Sequence, residues 1–485
     1  MNLHDHWIDG VSVAPADGAR LERVSPADGR VIAAAALGTA GDLDAAVVAA
    51  RRAFDTGPWT TLPGSQRGEV LLRLAALIEE NLEALAFLEA EEAGKPLAVG
   101  RSELQFGIEL IRYAASLASG LSGRLLSESG PEAMGLVLQQ PLGVIGVICP
   151  WNYPAVCLLQ KLPFALAAGC AVVAKPSELT AGTTVQIARL AREAGLPDGQ
   201  FNVVIGTGEV VGEAMTAHPG IDKISFTGSG RIGRRIAAKC GESLKRYSLE
   251  LGGKGANIIF ADADLDAAVE GAFQGFTINK GEECCAGSRI LVEESIAGDF
   301  TARLLARCAA ARLGGVRDEE AEIGPLIHEQ HLQKVLSFIE GARADGARLL
   351  CGGERLTGGD YAKGTYLPPT IFTDVRPDMT LFREEVFGPV AALMTFRTLD
   401  EAVQIANDTT YGLANGIWTG SLDKAMAMTR RLQSGMLYVN TYLELVPQLP
   451  FGGMKSSGMG HENGPEGLQE FLTTRSAFIR LRTAF

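Results

Sequence analysis

Between residues 42 and 117 the side chains recur at helical spacing. Ala45, Val48, Ala49 and Arg52 form one set, and Val70, Leu74, Ile78 and Leu82 another, so this part of the chain reads as amphipathic helices. Near Gly143 the pattern changes to short β-rich runs at 143–149, 171–174, 201–205, 223–226 and 257–260, each followed by a turn and a helix. Strands alternating with helices predict βαβ units and a parallel sheet. From about Gly253 a second series begins, with a helix over 265–277, a strand over 289–293 and further alternation through Tyr438-Val439-Asn440. It predicts a second α/β domain. Segments 124–140 and 473–482 fit neither series and alternate like exposed strands in need of a partner, which points to pairing between subunits.

A chain of 485 residues exceeds one ordinary core, and two to four domains are expected. Lysine and arginine total 44 against 57 aspartates and glutamates, a net charge of -13, which disfavours nucleic acid as a partner. The first residues carry neither a basic nor an apolar leader region, so no secretory signal is expected. The long uncharged run over 133–160 contains Gln139, Gln140 and Asn152 and is broken by Pro141, Pro150 and Pro154. It reads as strands and a loop rather than a membrane span, and the expected compartment is cytoplasmic. Eight cysteines without paired C-x-x-C motifs give no zinc signature, and no metal is expected. The adjacent pair Cys284-Cys285 leaves two readings, burial or a reactive thiol.

Four segments carry candidate chemistry. Phe226-Thr227-Gly228-Ser229-Gly230-Arg231-Ile232-Gly233 joins a strand to a helix, where glycines let the backbone approach a pyrophosphate at the positive helix end. A tight structural turn would use the same residues, and the acidic residue expected about twenty positions later in an ordinary Rossmann unit is missing. Lys175-Pro176-Ser177-Glu178 ends a strand with a cation and a carboxylate at the sheet edge, although Ser177 or Thr180 would equally serve as a helix cap. Glu250 stands beside Gly252 and Gly253, either as solvated surface or as a base that close backbone approach holds in place. Cys284 lies in a turn of small residues before a strand. The chain has six histidines, none in these segments, which argues against a Cys-His hydrolase.

Together, Pro150-Trp151-Asn152-Tyr153-Pro154, Lys175-Pro-Ser-Glu178, Phe226-Thr-Gly-Ser229, Glu250-Leu-Gly-Gly-Lys254 and Cys284-x-Ala-Gly-Ser-Arg289 resemble the aldehyde dehydrogenase superfamily in order and spacing. Glu384-Glu385-Val-Phe387-Gly-Pro389 and Pro450-Phe451-Gly-Gly453-x-Lys455-x-Ser-Gly458 extend the resemblance over nearly the whole chain. It implies an α/β fold with a Rossmann-like cofactor domain (1–122 and 142–252), an α/β catalytic domain (253–452) and a small β oligomerisation element (123–141 and 468–485), assembled as a homodimer or homotetramer. It also implies Cys284 as nucleophile, Glu250 as the base that activates water, and Asn152 as oxyanion donor.

NAD is the implied cofactor, with NADP as the alternative. Lys175 and Glu178 look like the adenosine-ribose ligands, Gly228 and Ser229 the diphosphate contacts, and Glu385 with Phe387 the nicotinamide-ribose site. The resemblance adds Ile148, Pro150, Trp151, Ser177, Gly208, Phe226, Thr227, Gly233, Leu251 and Gly252 to the cofactor groove. Two positions depart from many relatives: Glu282 replaces Gln, and Gln160 replaces a tryptophan. The substrate pocket is expected to hold Tyr153, Gln160, Glu283, Cys285, Tyr442, Glu444 and Phe451. Glu283 and Glu444 with the two tyrosines would suit a cationic aldehyde such as an amino aldehyde or betaine aldehyde; solvated glutamates would instead mean neutral aliphatic or aromatic aldehydes. Glu250 favours hydrolysis of the thioester over its transfer to CoA. A non-enzymatic, crystallin-like role would leave nucleophile and base free to vary, and both are present.

Overall fold

The computed structural model describes residues 2–130 and 132–481. The helical segment contains four helices, Ala40–Thr56, Gly64–Glu80, Leu82–Ala93 and Leu97–Ala118. The first is started by a capping box: Thr39 Oγ1 accepts from the Asp42 N–H at 3.3 Å, and the Asp42 carboxylate accepts from the Thr39 N–H at 2.8 Å. The third ends at Gly94, whose φ of 74° lies in the left-handed region that glycine adopts without strain.

Five parallel strands form the centre of one sheet: β1 (Val144–Ile148), β2 (Ala171–Lys175), β3 (Phe201–Val203), β4 (Lys223–Thr227) and β5 (Arg246–Glu250), in the spatial order β5-β4-β1-β2-β3. β1 and β2 are buried along their whole length. That is why they read as continuous apolar runs rather than alternating ones. Antiparallel strands flank this centre, Gly458–Met459 against β5 and, on the other side, His6–Ile8 against β3 with Val11–Val13 beyond it. The strands before residue 40 left no pattern in the sequence because most have three residues and pair with distant ones, as Trp7 does with Val203.

A second sheet holds β6 (Ala256–Ile259), β7 (Arg289–Glu293), β8 (Thr370–Thr373), β9 (Val390–Phe396), β10 (Ala414–Trp418) and β11 (Met436–Val439), all parallel in the order β8-β9-β7-β6-β10-β11. The run at 257–260, grouped with the first series by sequence order, belongs here. Its neighbours are β7 and β10, with Asn257 opposite Ile290 and Gly416, and pairing rather than chain order decides membership of a sheet.

The two segments that fitted neither series find each other. Leu472–Arg480 pairs antiparallel with Ala133–Pro141, and Arg124–Leu126 covers the far side of that strand. The partner expected from another subunit is thus supplied within the chain, while the outer edges of this small sheet stay unpaired among the described residues. Residues 482–485 of the expected oligomerisation element lie outside the described residues. Among the described residues no helix is long and apolar enough to cross a membrane.

Candidate active site

The order of the first sheet reverses at β1, so the chain leaves β1 and β4 toward opposite faces. A crevice is thereby left outside their carboxyl ends, where open α/β sheets take ligands. The loops after these strands, Pro150 to Tyr153 and Thr227 to Ser229, wall a cavity of about 570 Å³. Its opposite wall comes from the second sheet's side, with Glu283, Cys284, Glu385, Phe387, Tyr438 and Phe451. Cys284 and Glu250, 34 positions apart in sequence, line the same space.

The glycines beside Glu250 are closely approached, Gly253 by backbone and Gly252 by a side chain. A side chain at Gly253 would place its Cβ 2.4 Å from the Cys284 carbonyl oxygen, and one at Gly252 would meet a Glu385 carboxyl oxygen at 2.3 Å. The Gly253 N–H donates to Glu385 at 3.1 Å. The segment therefore brings base, nucleophile loop and Glu385 into contact through bare backbone.

Glu250 is buried, and among the described residues neither of its carboxyl oxygens has a hydrogen-bond partner. Burial, helped by the Glu462 carboxylate, pushes its proton affinity well above that of an ordinary carboxyl group, and Lys161 offsets part of this. Lys161 is itself fully buried, pairs with Glu462, and donates to Thr227 Oγ1 at 2.7 Å and the Cys157 carbonyl at 3.0 Å. The Lys161–Glu462 pair, separated by about three hundred residues, gave no sequence signal.

Asn152 is fixed from both ends. Its side-chain amide donates to the Glu282 carbonyl at 3.0 Å, and its own carbonyl accepts from Asn279 Nδ2 at 3.0 Å. One amide hydrogen remains for a ligand in the cavity. Cys284 donates its thiol to Glu283 Oε1 at 3.4 Å, and the Cys285 N–H donates to the same oxygen at 2.9 Å. The neighbouring Cys285 thiol, burial and the Glu283 charge all push the Cys284 thiol up, so it rests protonated at neutral pH. Glu282, the departure two positions before the cysteine, points away from the cavity; its carboxylate pairs with Lys280 at 2.9 Å and accepts from the Ile327 N–H at 2.8 Å.

A half-buried thiol, an unpartnered carboxyl group and a held amide around one cavity suit addition to a carbonyl followed by hydrolysis. The sequence pattern of the aldehyde dehydrogenase family matches residues 13–477. The chain belongs to this family. It is 40% identical over 480 residues to aldehyde dehydrogenase family 2 member C4 of Arabidopsis thaliana, covering 99% of this chain and 95% of that protein. Its fold matches the crystal structure of an NAD-dependent aldehyde dehydrogenase from Sinorhizobium meliloti with a TM-score of 0.97 at 42% identity, covering 99% and 95% of the two chains. The betaine aldehyde dehydrogenase of Staphylococcus aureus, solved in complex with NAD+, matches with a TM-score of 0.97 at 36% identity, again covering 99% and 95%.

Within this aldehyde dehydrogenase, Pro150, Trp151, Thr227, Gly228, Ser229, Leu251, Gly252, Glu385 and Phe387 all line the cavity. Ser229 caps the helix Gly230–Ser243, whose first turn carries no acidic residue, and a Cβ at Gly230 would meet nothing nearer than Arg234 at 3.8 Å. This open, positive helix end fits a dinucleotide's diphosphate. Gly233 serves packing instead, since a Cβ there would strike Leu251 at 2.5 Å. Ile148 and Phe226 are buried at the ends of β1 and β4. Lys175 donates to the Gly206 carbonyl at 2.7 Å and lies 3.6 Å from Glu178, and its stem is 3.9 Å from where a Cβ on Gly212 would be, in the turn that Gly208 opens. Ser177 Oγ accepts from the Leu179 N–H, so it shapes the turn after β2 and caps no helix. Burial raises the Glu385 carboxyl to about 7.

On the substrate side, Tyr153, Gln160, Glu283, Cys285 and Phe451 line the cavity. Tyr442 and Glu444 are placed elsewhere. Tyr442 is buried behind the loop, donating to the Cys285 carbonyl at 3.0 Å, and Glu444 is exposed outside the cavity lining. Between them Leu443 adopts a left-handed φ of 62° and turns the chain. Tyr438, Leu443 and Leu445 line the space instead. Glu103 also lines it, but its charge is paired with Lys95.

Proposed function

We propose that the enzyme oxidises an aldehyde to its acid through covalent attachment to Cys284, with NAD as the electron acceptor. The observation that carries this is the unpartnered Glu250 carboxyl group sharing a cavity with Cys284 and Asn152. Cys284 Sγ adds to the carbonyl carbon, and the oxygen that gains charge is held by the free amide hydrogen of Asn152, a contact whose loss typically costs about 10²–10³-fold in rate. When bound, the cofactor takes the two electrons that convert this adduct into a thioester. The open helix end at Ser229, with Glu385 and Phe387 nearer Cys284, would hold it, and a carboxylate at Glu178 favours a 2′-hydroxyl over a 2′-phosphate. Glu250 removes a proton from the water that hydrolyses the thioester, a task suited to a carboxyl group with raised proton affinity. Three of the four sheets among the described residues support a division into a cofactor domain, a catalytic domain and a small oligomerisation sheet.

For the substrate, the cavity favours an aldehyde with a neutral, apolar body. Phe106, Val156, Ile278, Leu443, Leu445 and Phe451 dominate the walls beyond Cys284, Glu103 is already paired, and Lys95 already lies 4.6 Å over one face of the Tyr153 ring. Glu283, next to the nucleophile, supports a second reading in which a short quaternary ammonium aldehyde binds. NADH formation with hexanal, benzaldehyde, betaine aldehyde and 4-aminobutyraldehyde decides between them. A kcat/KM at least about tenfold higher for hexanal than for betaine aldehyde is expected, and the reverse order would establish the second reading. Cys284→Ser should abolish NADH formation with every substrate.

A further inference from the structure

Cys284 rests as a thiol and must lose its proton as it attacks, yet Glu250 makes no hydrogen bond to it or to any other described residue. The carboxylate in contact with the thiol is Glu283, 3.4 Å from Sγ. It is held there by the Cys285 N–H at 2.9 Å, within the same turn. Histidine, the usual partner of a nucleophilic cysteine, is absent from the thiol's contacts, and His331, which also lines the cavity, is engaged with the Phe387 carbonyl at 2.7 Å.

We propose that Glu283 is the proton acceptor for Cys284, so that the enzyme uses two carboxylates, Glu283 for attack and Glu250 for hydrolysis. The proposal rests on Cys284 being the nucleophile. As the Sγ–C bond forms and the carbonyl π pair moves onto oxygen, the thiol proton passes to Glu283 Oε1. Oxidation of the adduct leaves that proton in place. When Glu250-activated water displaces the sulfur, the departing thiolate takes the proton back from Glu283, and the cycle closes with the acid, NADH and the water proton released through Glu250.

The surroundings fit a group that changes charge within a cycle. Burial raises the Glu283 carboxyl, while the Cys285 N–H and hydrogen bonds from Tyr153 and Cys284 restrain the rise. Glu103 also faces it, with its own charge met by Lys95. Tyr438, Tyr442 and Glu385 lie within its field.

The test compares the wild type with Glu283→Gln, which keeps the acceptor for the Cys285 N–H, and with Glu283→Asp. Two readouts are used, the pH profile of Cys284 alkylation by iodoacetamide and the first-turnover burst of NADH. In the wild type, alkylation should rise in two steps, one for the carboxyl group and one for the thiol. In Glu283→Gln the lower step should vanish and the burst should slow by about 10²-fold, with partial recovery in Glu283→Asp. A single thiol step in the wild type, or a burst in Glu283→Gln as fast as or faster than the wild type, overturns the proposal. If Cys284→Ser retains the burst, the nucleophile assignment itself fails, a result separate from either outcome for Glu283.

Discussion

At the scale of single residues, Glu250 shows activity and stability pulling apart. Its buried carboxyl group has no partner and binds its proton more tightly than in an unfolded chain. The folded state is therefore favoured by protonation. The stability that this proton contributes is complete below the unfolded value of about 4.3 and is lost as pH rises to the folded value. Catalysis needs the opposite form, because only the carboxylate can accept a proton from water. Glu250→Gln should lower steady-state turnover by roughly 10²–10⁴-fold while leaving one burst of NADH per site. It should also raise Tm relative to the wild type, by a margin that widens between pH 5 and pH 8. Differential scanning calorimetry across that range checks it, and an equal or lower Tm for the variant at pH 8 would contradict the account of Glu250 as an uncompensated buried charge. Wild-type kcat should fall as pH drops through the raised Glu250 value.

At the scale of elements, the sites are strand ends joined by turns that only glycine allows. Gly253→Ala forces the Cys284 carbonyl to move, since the added carbon would be 2.4 Å from it. Overpacking of this kind costs about 1–3 kcal/mol, and displacing a nucleophile by about 1 Å costs up to about 10²-fold in rate. A drop of that order in kcat with a lowered Tm is expected. Gly241→Ala is the control, because its Cβ would meet nothing within 4 Å and lies in the helix Gly230–Ser243; it should gain about 0.5–1 kcal/mol with activity unchanged. Much at this scale was legible beforehand. Buried parallel strands are continuous apolar runs, and the strand-to-helix turn at Gly228 carries its own glycine signature. The contents of the substrate wall were less legible: Tyr442 and Glu444 were expected in the pocket, whereas Tyr442 is buried behind the loop, Glu444 is exposed, and Leu443 between them turns the chain with a left-handed φ.

At the scale of the whole molecule, the small sheet of Arg124–Leu126, Ala133–Pro141 and Leu472–Arg480 leaves apolar side chains in water. Phe478 is 67% exposed and Leu125 63% exposed, beside strand edges with no partner among the described residues. Exposed apolar edges of this kind invite another strand, and the expectation is that a second copy of the chain would supply it. Phe478→Glu should therefore reduce the particle mass measured by light scattering at a fixed protein concentration. An unchanged mass would remove this sheet from the assembly.

The sequence by itself determined the α/β class, the two strand-helix series and the family, because these are written in local periodicity and in short motifs whose residues are close in the chain. It also named Cys284, Glu250 and Asn152 from motif order. Only the tertiary structure decided how they meet. The charge on Glu250 depends on Lys161 and Glu462, one face of the Tyr153 ring is met by Lys95, and the role of Glu283 depends on which oxygen the Cys284 thiol reaches. Burial, ion pairing and hydrogen bonding act through space over a few ångströms, and residues hundreds of positions apart come within that range only when the chain folds.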